Sequence, residues 1–411
     1  MNAIIISANG FGAAGSDAPA PDAVRRLKAM GVPRSRYRFP WRSGNHFELL
    51  VDGPRFFERM LRAIERAQRY VILELYLIES GAVADRFIAA LSRAAARGVA
   101  VKVLLDDFGA RMLGRRDRER LGQGGAEVTF YNVLHYAKRL HNLLRDHRKL
   151  LVVDGVTAFV GGAGLTDAFD PEPPRRPWRE TMLEIEGPVV GDWEELFADV
   201  WTRFAGRKLA LPASVRKPHP EGQRGRVVAS RSLRRHEISR SVHGRIACAE
   251  YRVWIATPYF VPSWNLRRAL RRAAGRGVDV RLLLPGPVTD HPTVRHAGRR
   301  YFGRLLRDGV RIFEFQPQFL HAKTVLCDDW ASIGSSNLDR WTPSWNLDAN
   351  QEIDDARFGC QVQAMFEDDF RQSVELDLGR WHRRSWSSRA LEFLAGAVDR
   401  WLAGLRFSRR R

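Results

Sequence analysis

The sequence predicts an α/β protein of two pseudo-symmetric lobes, each a mostly parallel sheet flanked by helices, with one shared active site. Three observations carry this. Four sequence blocks recur in the same order in the two halves, each apolar β-branched run follows a stretch of helical character, and a His-x-Lys-x-x-x-x-Asp segment closes each series. The chain has 411 residues, more than one hydrophobic core usually covers, and its 45% apolar content can fill two.

In the first half the blocks are Tyr70 to Tyr76, Arg97 to Leu105, Gly125 to Phe130 and His147-Arg148-Lys149. In the second they are Tyr251 to Tyr259, Arg276 to Leu284, Gly309 to Glu314 and His321-Ala322-Lys323. Helical stretches, Phe87 to Arg97 and Leu266 to Arg276, precede the second block of each set. Residues 212–225 are rich in Pro, Gly and basic side chains and lack periodicity, which predicts a linker there. The expected organisation is an N-terminal extension (1–43), a first lobe (44–211), the linker, a second lobe (226–380) and a basic amphipathic tail (381–411). In that tail Leu391, Leu394, Val398, Trp401, Leu402 and Leu405 recur at helical spacing among arginines, the pattern of a helix that lies on anionic lipid.

A net charge of +20 and a pI near 10.8 favour partners that carry phosphate, either nucleic acid or acidic lipid. Cys248, Cys327 and Cys360 are far apart and form neither a disulfide framework nor a zinc spacing, which suits a reducing, cytoplasmic setting. The short apolar stretch Ala3 to Ile6 has no basic residues before it, and no run reaches the roughly 18 apolar residues of a membrane span. A soluble or peripheral protein is expected.

The chemistry concentrates in His147-Arg-Lys149-Leu-Leu-Val-Val-Asp154-Gly155 and His321-Ala-Lys323-Thr-Val-Leu-Cys-Asp328. Residues two apart on a strand share a face, so each His stands beside its Lys. Asp154-Gly155 reads as a two-residue hairpin turn with Val156 to Val160 returning, which places Asp154 at a strand end to brace the site rather than attack. Displacement at a phosphodiester needs a nucleophile, a proton donor for the leaving alkoxide, and positive charge at the phosphoryl oxygens. Two His and two Lys meet all three needs with no metal and no cofactor. His135, His141, His291 and His296 form no metal-ligand spacing, and the last two are expected to line the pocket.

These paired segments resemble the motifs of the phospholipase D superfamily, and the likeness runs from about Gly44 to Trp381. Gly334-Ser-Ser-Asn337-Leu-Asp339, Asn346-Leu-Asp-Ala-Asn350-Gln-Glu352, Thr257-Pro-Tyr-Phe-Val-Pro262 and Leu284-Pro-Gly-Pro287 extend it toward bacterial cardiolipin synthases. The resemblance implies that His147 and His321 are nucleophile and acid/base, the first-half residue more often attacking. It implies that Lys149 and Lys323 bind phosphoryl oxygens, that Asp154 and Asp328 complete the motifs, and that Glu352 and Glu180 orient the histidines, crosswise between lobes. Asn337 is expected to donate to the substrate; the matching first-half position is Gly164, where the family usually has Asn. The implied activity is phosphatidyl transfer through a phosphohistidine, making cardiolipin from phosphatidylglycerol and a second phospholipid. Hydrolysis to phosphatidic acid and a phosphodiesterase acting on nucleic acid are the alternatives. The implied partner is anionic phospholipid at the inner membrane surface, where the protein would be peripheral, rather than nucleic acid.

Overall fold

The computed structural model describes residues 39–135, 142–231, 236–339 and 346–384. The basic tail beyond residue 384, the extension before residue 39, and His141 lie outside them. In the first half β1 (Arg42–Val51), β2 (Tyr70–Leu75), β3 (Ala100–Asp106) and β4 (Glu127–Tyr131) alternate with helices Gly53–Arg66, Ala82–Ala96 and Arg115–Gln123. Then come β5 (Arg145–Asp146), β6 (Lys149–Val153), β7 (Thr157–Gly161), β8 (Thr181–Glu186) and helix Val190–Phe204. The second half repeats the plan with β9 (Gln223–Arg231), β10 (Arg252–Ala256), β11 (Asp279–Pro285), β12 (Arg311–Phe315), β13 (Thr324–Cys327), β14 (Trp330–Gly334) and β15 (Asn346–Asp354). Strand β16 (Ser373–Leu376) is added at the edge.

Sheet order makes the pseudo-symmetry explicit. One half runs β4-β3-β2-β6-β7-β8-β1, the other β12-β11-β10-β13-β14-β15-β9, and the two join where β1 meets β9 through Arg42↔Gly225 and Asn45↔Gln223. The α/β reading holds, but the sheets are mixed rather than mostly parallel. Only β2-β3-β4 and β10-β11-β12 pair in parallel, apart from the short β5–β15 ladder; β6, β7, β8 and their counterparts are antiparallel. The reason is local. Each motif strand is followed by a tight turn instead of a crossover helix, and a tight turn can only reverse the chain. The first turn also holds three residues, 154–156, between the paired Val153 and Thr157, one more than the sequence suggests; the second, Asp328-Asp329, holds two.

The helices bury one face each. In Gly53–Arg66 the buried set is Phe56, Phe57, Met60 and Ile64, a stripe at helical spacing. Helix Trp264–Gly275 starts where Ser263 Oγ accepts from the Leu266 N–H at 3.2 Å. Each half has its own outer core, around Phe57 and Phe87 in the first and around Val253 and Leu270 in the second. A third core contains residues of both: Phe47, Trp193 and Trp201 pack in one cluster with Trp254, Phe313 and Phe366. That shared core joins the two halves.

Candidate active site

His147 follows β5, which pairs in parallel with the start of β15, so the His147 N–H donates to Leu347 O at 2.9 Å. His321 follows a parallel bridge between Arg179 and Leu320, and its N–H donates to Arg179 O at 2.8 Å. Each histidine is therefore held by the opposite half. The next residue along the holding strand then supplies a carboxylate. Asp348 Oδ1 lies 3.0 Å from His147 Nδ1, and Glu180 Oε2 lies 2.5 Å from His321 Nδ1. A carboxylate can only accept, which favours the proton on Nδ1 and a lone pair on Nε2; at His321 the Lys323 Nζ also lies 2.9 Å from Nδ1 and 3.3 Å from Nε2.

Glu180 thus meets the second-half histidine, but Glu352 meets neither. Its Oε2 accepts from Arg226 Nε at 2.7 Å in a fully buried pair. The residue that takes the expected place, Asp348, lies four positions earlier on the same face of β15. Register decides this: the β5–β15 ladder ends at Asp146↔Leu347, so Asp348 is the side chain that arrives beside His147.

Lys149 and Lys323 are both buried, each bonded to the carbonyl of its own motif histidine. Lys149 Nζ also sits 5.2 Å from the centroid of the Tyr76 ring, which packs 4.8 Å from the His147 ring. Lys323 Nζ approaches Glu180 Oε2 at 3.3 Å. Burial, helped by the nearby Lys323 charge, pushes the Lys149 ammonium down to about 7. Burial also lowers Lys323. It lowers His147, with Lys149 adding to the effect, and takes His321 down to about 4, with Lys323 adding. Burial alone would raise Glu180, but Lys323 and His321 outweigh it and hold the carboxylate below its usual range. Two lysines and two imidazoles thus outnumber the two carboxylates beside them, an arrangement that suits a phosphodiester anion.

The motif aspartates stand at the far ends of their strands. Asp154 accepts from the backbone N–H groups of Gln68, Arg69 and Tyr70 at 2.8–2.9 Å, and Asp328 from those of Glu250, Tyr251 and Arg252 at 2.9–3.0 Å. Both adopt positive φ, 55° and 50°. Each carboxylate ties the turn after its motif strand to the backbone leading into β2 or β10, so these residues brace the motif strand rather than the imidazoles. Asn337 is 6% exposed beyond the end of β14, and its Oδ1 has no hydrogen-bond partner in the described structure. Gly164 is pressed on Leu77: a Cβ there would lie 2.5 Å from Leu77 O. No asparagine fits without displacing that backbone. Tyr259, Trp178, Phe319 and Phe169 ring the His321 side, and His291 packs 5.5 Å from Tyr259. Sequence reasoning also missed a buried foundation under His147. Arg148 hydrogen-bonds Asp146 at 3.0 Å and forms an ion pair with Glu74 at 2.6 Å; burial drives the Glu74 carboxyl well up, while Arg148 keeps Asp146 low despite burial.

A family model described as the cardiolipin synthase, phospholipase D-like domain matches residues 60–201 and 242–370, one segment for each half. The chain belongs to that family. It is similar to cardiolipin synthase A of Pseudomonas aeruginosa, 38% identical over 82% of this chain and 69% of the relative. It is also similar to a probable cardiolipin synthase of Bacillus subtilis, 30% identical over 85% of this chain and 71% of the relative. The fold matches a phosphatidylserine synthase structure from Haemophilus influenzae, with a TM-score of 0.70, 12% identity, and coverage of 93% of this chain and 98% of that one. Membership in the phospholipase D-like family accounts for the one motif histidine in each matched segment, His147 in the first and His321 in the second. It also makes the chain an enzyme of the phosphatidyltransferase kind. Among the described residues no helix is long and apolar enough to cross a membrane.

Proposed function

We propose that this enzyme transfers a phosphatidyl group between lipid alcohols, making cardiolipin from phosphatidylglycerol and a second phospholipid at the inner surface of the membrane. The observation that carries the reading is the mirrored pair of imidazoles, each with a carboxylate from the opposite half on Nδ1 and a buried lysine beside it. In the first step His147 Nε2 attacks phosphorus. The bond to the glycerol oxygen breaks, and His321, protonated once the anionic substrate offsets the lysine charges, gives that oxygen its proton. The neutral His321 then takes the proton of the incoming hydroxyl, whose oxygen displaces His147 from phosphorus. Lys149, Lys323 and Asn337 serve the phosphoryl oxygens as negative charge develops. Each step balances without a metal ion.

Purified protein incubated with phosphatidylglycerol vesicles and followed by lipid mass spectrometry is expected to release glycerol and accumulate cardiolipin. Phosphatidic acid as the sole product would mean that water is the acceptor. His147→Ala and His321→Ala should each abolish nearly all turnover, and a chelator should leave the rate intact. Loss of activity in EDTA that magnesium or zinc restores would overturn the mechanism. Enzyme denatured with detergent at alkaline pH during turnover, which spares the acid-labile P–N bond, is expected to carry the phosphatidyl adduct on His147; an adduct on His321 would reverse the two roles.

A further inference from the structure

The loops at the mouth of the cleft expose apolar side chains that the core does not require. Phe108, two residues past β3, is 45% exposed; Met112, in the same loop, is 68% exposed; Val133, two residues past β4, is 51% exposed; and Leu143, before β5, is 48% exposed. These loops are tied into one rim. The Asp107 N–H donates to Tyr131 O at 3.2 Å, Asp107 Oδ2 accepts from the Leu134 N–H at 2.9 Å, and Asn132 Nδ2 donates to Leu144 O at 2.9 Å. Arg145 joins them from beneath, 5.9 Å from the centroid of the Phe108 ring and 3.2 Å from Asn132 O, two residues before His147. Across the cleft the loop after β11, the counterpart of β3, does the same with Val288, 49% exposed. Its neighbour His291 packs on Tyr259, which reaches toward His321 through Phe319. Both lips thus present apolar tips at matching positions.

The lip after β3 carries exposed positive charge. Arg111 is exposed, with its guanidinium 5.6 Å from the Phe108 ring centroid, and Arg116 is exposed on the following helix. The acids close by are already engaged: Asp117 with Ser80 and Arg120, Glu119 with Arg115, and Asp107 with the Leu134 N–H. Apolar tips on both lips, with exposed arginines on one, beside a site that takes a phosphodiester match the interface of an anionic bilayer, where acyl chains lie beneath a layer of phosphates.

We propose that the loop after β3, residues 132–135 and 142–144 between β4 and β5, and the loop after β11 form the face that this enzyme inserts into an anionic phospholipid bilayer, so that a lipid headgroup enters the cleft from the membrane. The inference rests on the lipid-substrate reading above. It assigns docking to the lips of the catalytic cleft, independently of the basic tail.

The test uses the full chain with Met112→Asp, Val288→Asp and the pair combined, and Val215→Asp as a control at a side chain 77% exposed in the segment before β9. The readouts are flotation with phosphatidylglycerol vesicles, turnover on those vesicles, and turnover on a short-chain phosphatidylglycerol below its micelle concentration. The combined variant is expected to weaken vesicle binding about 10- to 100-fold, the loss of apolar contact from both lips. Vesicle turnover should fall far more than turnover on the monomeric lipid, while the control binds as the parent does. A melting temperature close to the parent's confirms folding, since both positions lie at the surface. Unchanged vesicle binding by the combined variant, in an enzyme that turns over both lipids, would overturn the docking face and leave the transferase reading standing. A parent inactive on both lipids would overturn the transferase reading itself. Sedimentation in which Met112→Asp converts a dimer to a monomer would make this face a self-interface and also overturn the proposal.

Discussion

Ser335 Oγ donates to Asp348 Oδ1 at 2.9 Å, in the second-half position whose first-half counterpart is Gly162 beside Glu180. The two halves thus reach the same end by different means. Glutamate is one methylene longer than aspartate, and a Cβ on Gly162 would lie 2.3 Å from Glu180 Oε2. Where the acid is shorter, a serine fills the space and holds it. We predict that Gly162→Ser and Glu180→Asp each lower kcat by more than ten-fold, an estimate on the order of losing one acid/base orientation. The double variant should recover part of that loss, because it copies the second half's solution. Additive losses in the double-mutant cycle would show that the two positions do not compensate.

Asp348→Asn should cost on the order of 10²–10⁴ in kcat with little change in stability, because the amide no longer stabilises the charged imidazole. Glu352→Gln should show the reverse balance. Its buried partner Arg226 loses the charge of the Glu352 carboxylate, a loss of about 3–5 kcal/mol in stability, while the protein that stays folded keeps most of its turnover. Thermal unfolding and kcat per folded molecule separate the two. A collapse of kcat in folded Glu352→Gln would place that residue on the imidazole after all.

The lysine in the first motif gives a pH signature. Lys149 falls from an ordinary 10.5 to about 7, so between those values the unfolded chain binds a proton that the folded, empty site does not. Stability from this group therefore rises with pH across that window, the opposite of a lysine in a formed ion pair. An anion in the cleft restores the charged form. Sulfate, a dianion throughout this range, should therefore bind at pH 8 with uptake of up to about one proton, and its affinity should fall by up to about ten-fold per pH unit above 7. Calorimetry in buffers of different ionisation enthalpy measures the uptake. No proton linkage would mean that Lys149 is already charged in the empty site.

Asn337→Ala is expected to slow turnover by about 10²–10³, the usual range for one donor to a developing oxyanion. Restoring an asparagine at Gly164 should not help. The close approach of Leu77 O leaves no room for a Cβ, so Gly164→Ala and Gly164→Asn should both lose stability, by about 1–3 kcal/mol for an overpacked position. An active, stable Gly164→Asn would show that the loop yields to the side chain.

The repeat, the α/β alternation and the paired His and Lys were legible because each is a local pattern written twice. The mixed sheet was not. Two short parallel triplets dominate the periodicity, while the antiparallel remainder depends on the turns at Asp154 and Asp328. Glu180 could be chosen from its family segment, but Asp348 could not be told from Glu352, since both occupy one face of β15 and only the short ladder with β5 decides between them. Nor does the sequence separate the motif aspartates from the chemistry. Their role in capturing three backbone N–H groups requires the strand start in the other chain segment to be in place. Gly164 reads as a lost amide until its contact with Leu77 shows an occupied space.

The exchange of backbone carbonyls and carboxylates between halves has a consequence for a severed chain. Cut within 212–222, before β9, each fragment would retain its own His and Lys but lose the acceptor that fixes the imidazole and the acid that sets its tautomer. Neither piece alone should turn over. Mixed together they should regain activity with a second-order dependence on concentration, since each completes the other's histidine. In its chemistry the molecule is a dimer whose two subunits share one polypeptide, and a substitution in either half is answered at the imidazole of the other.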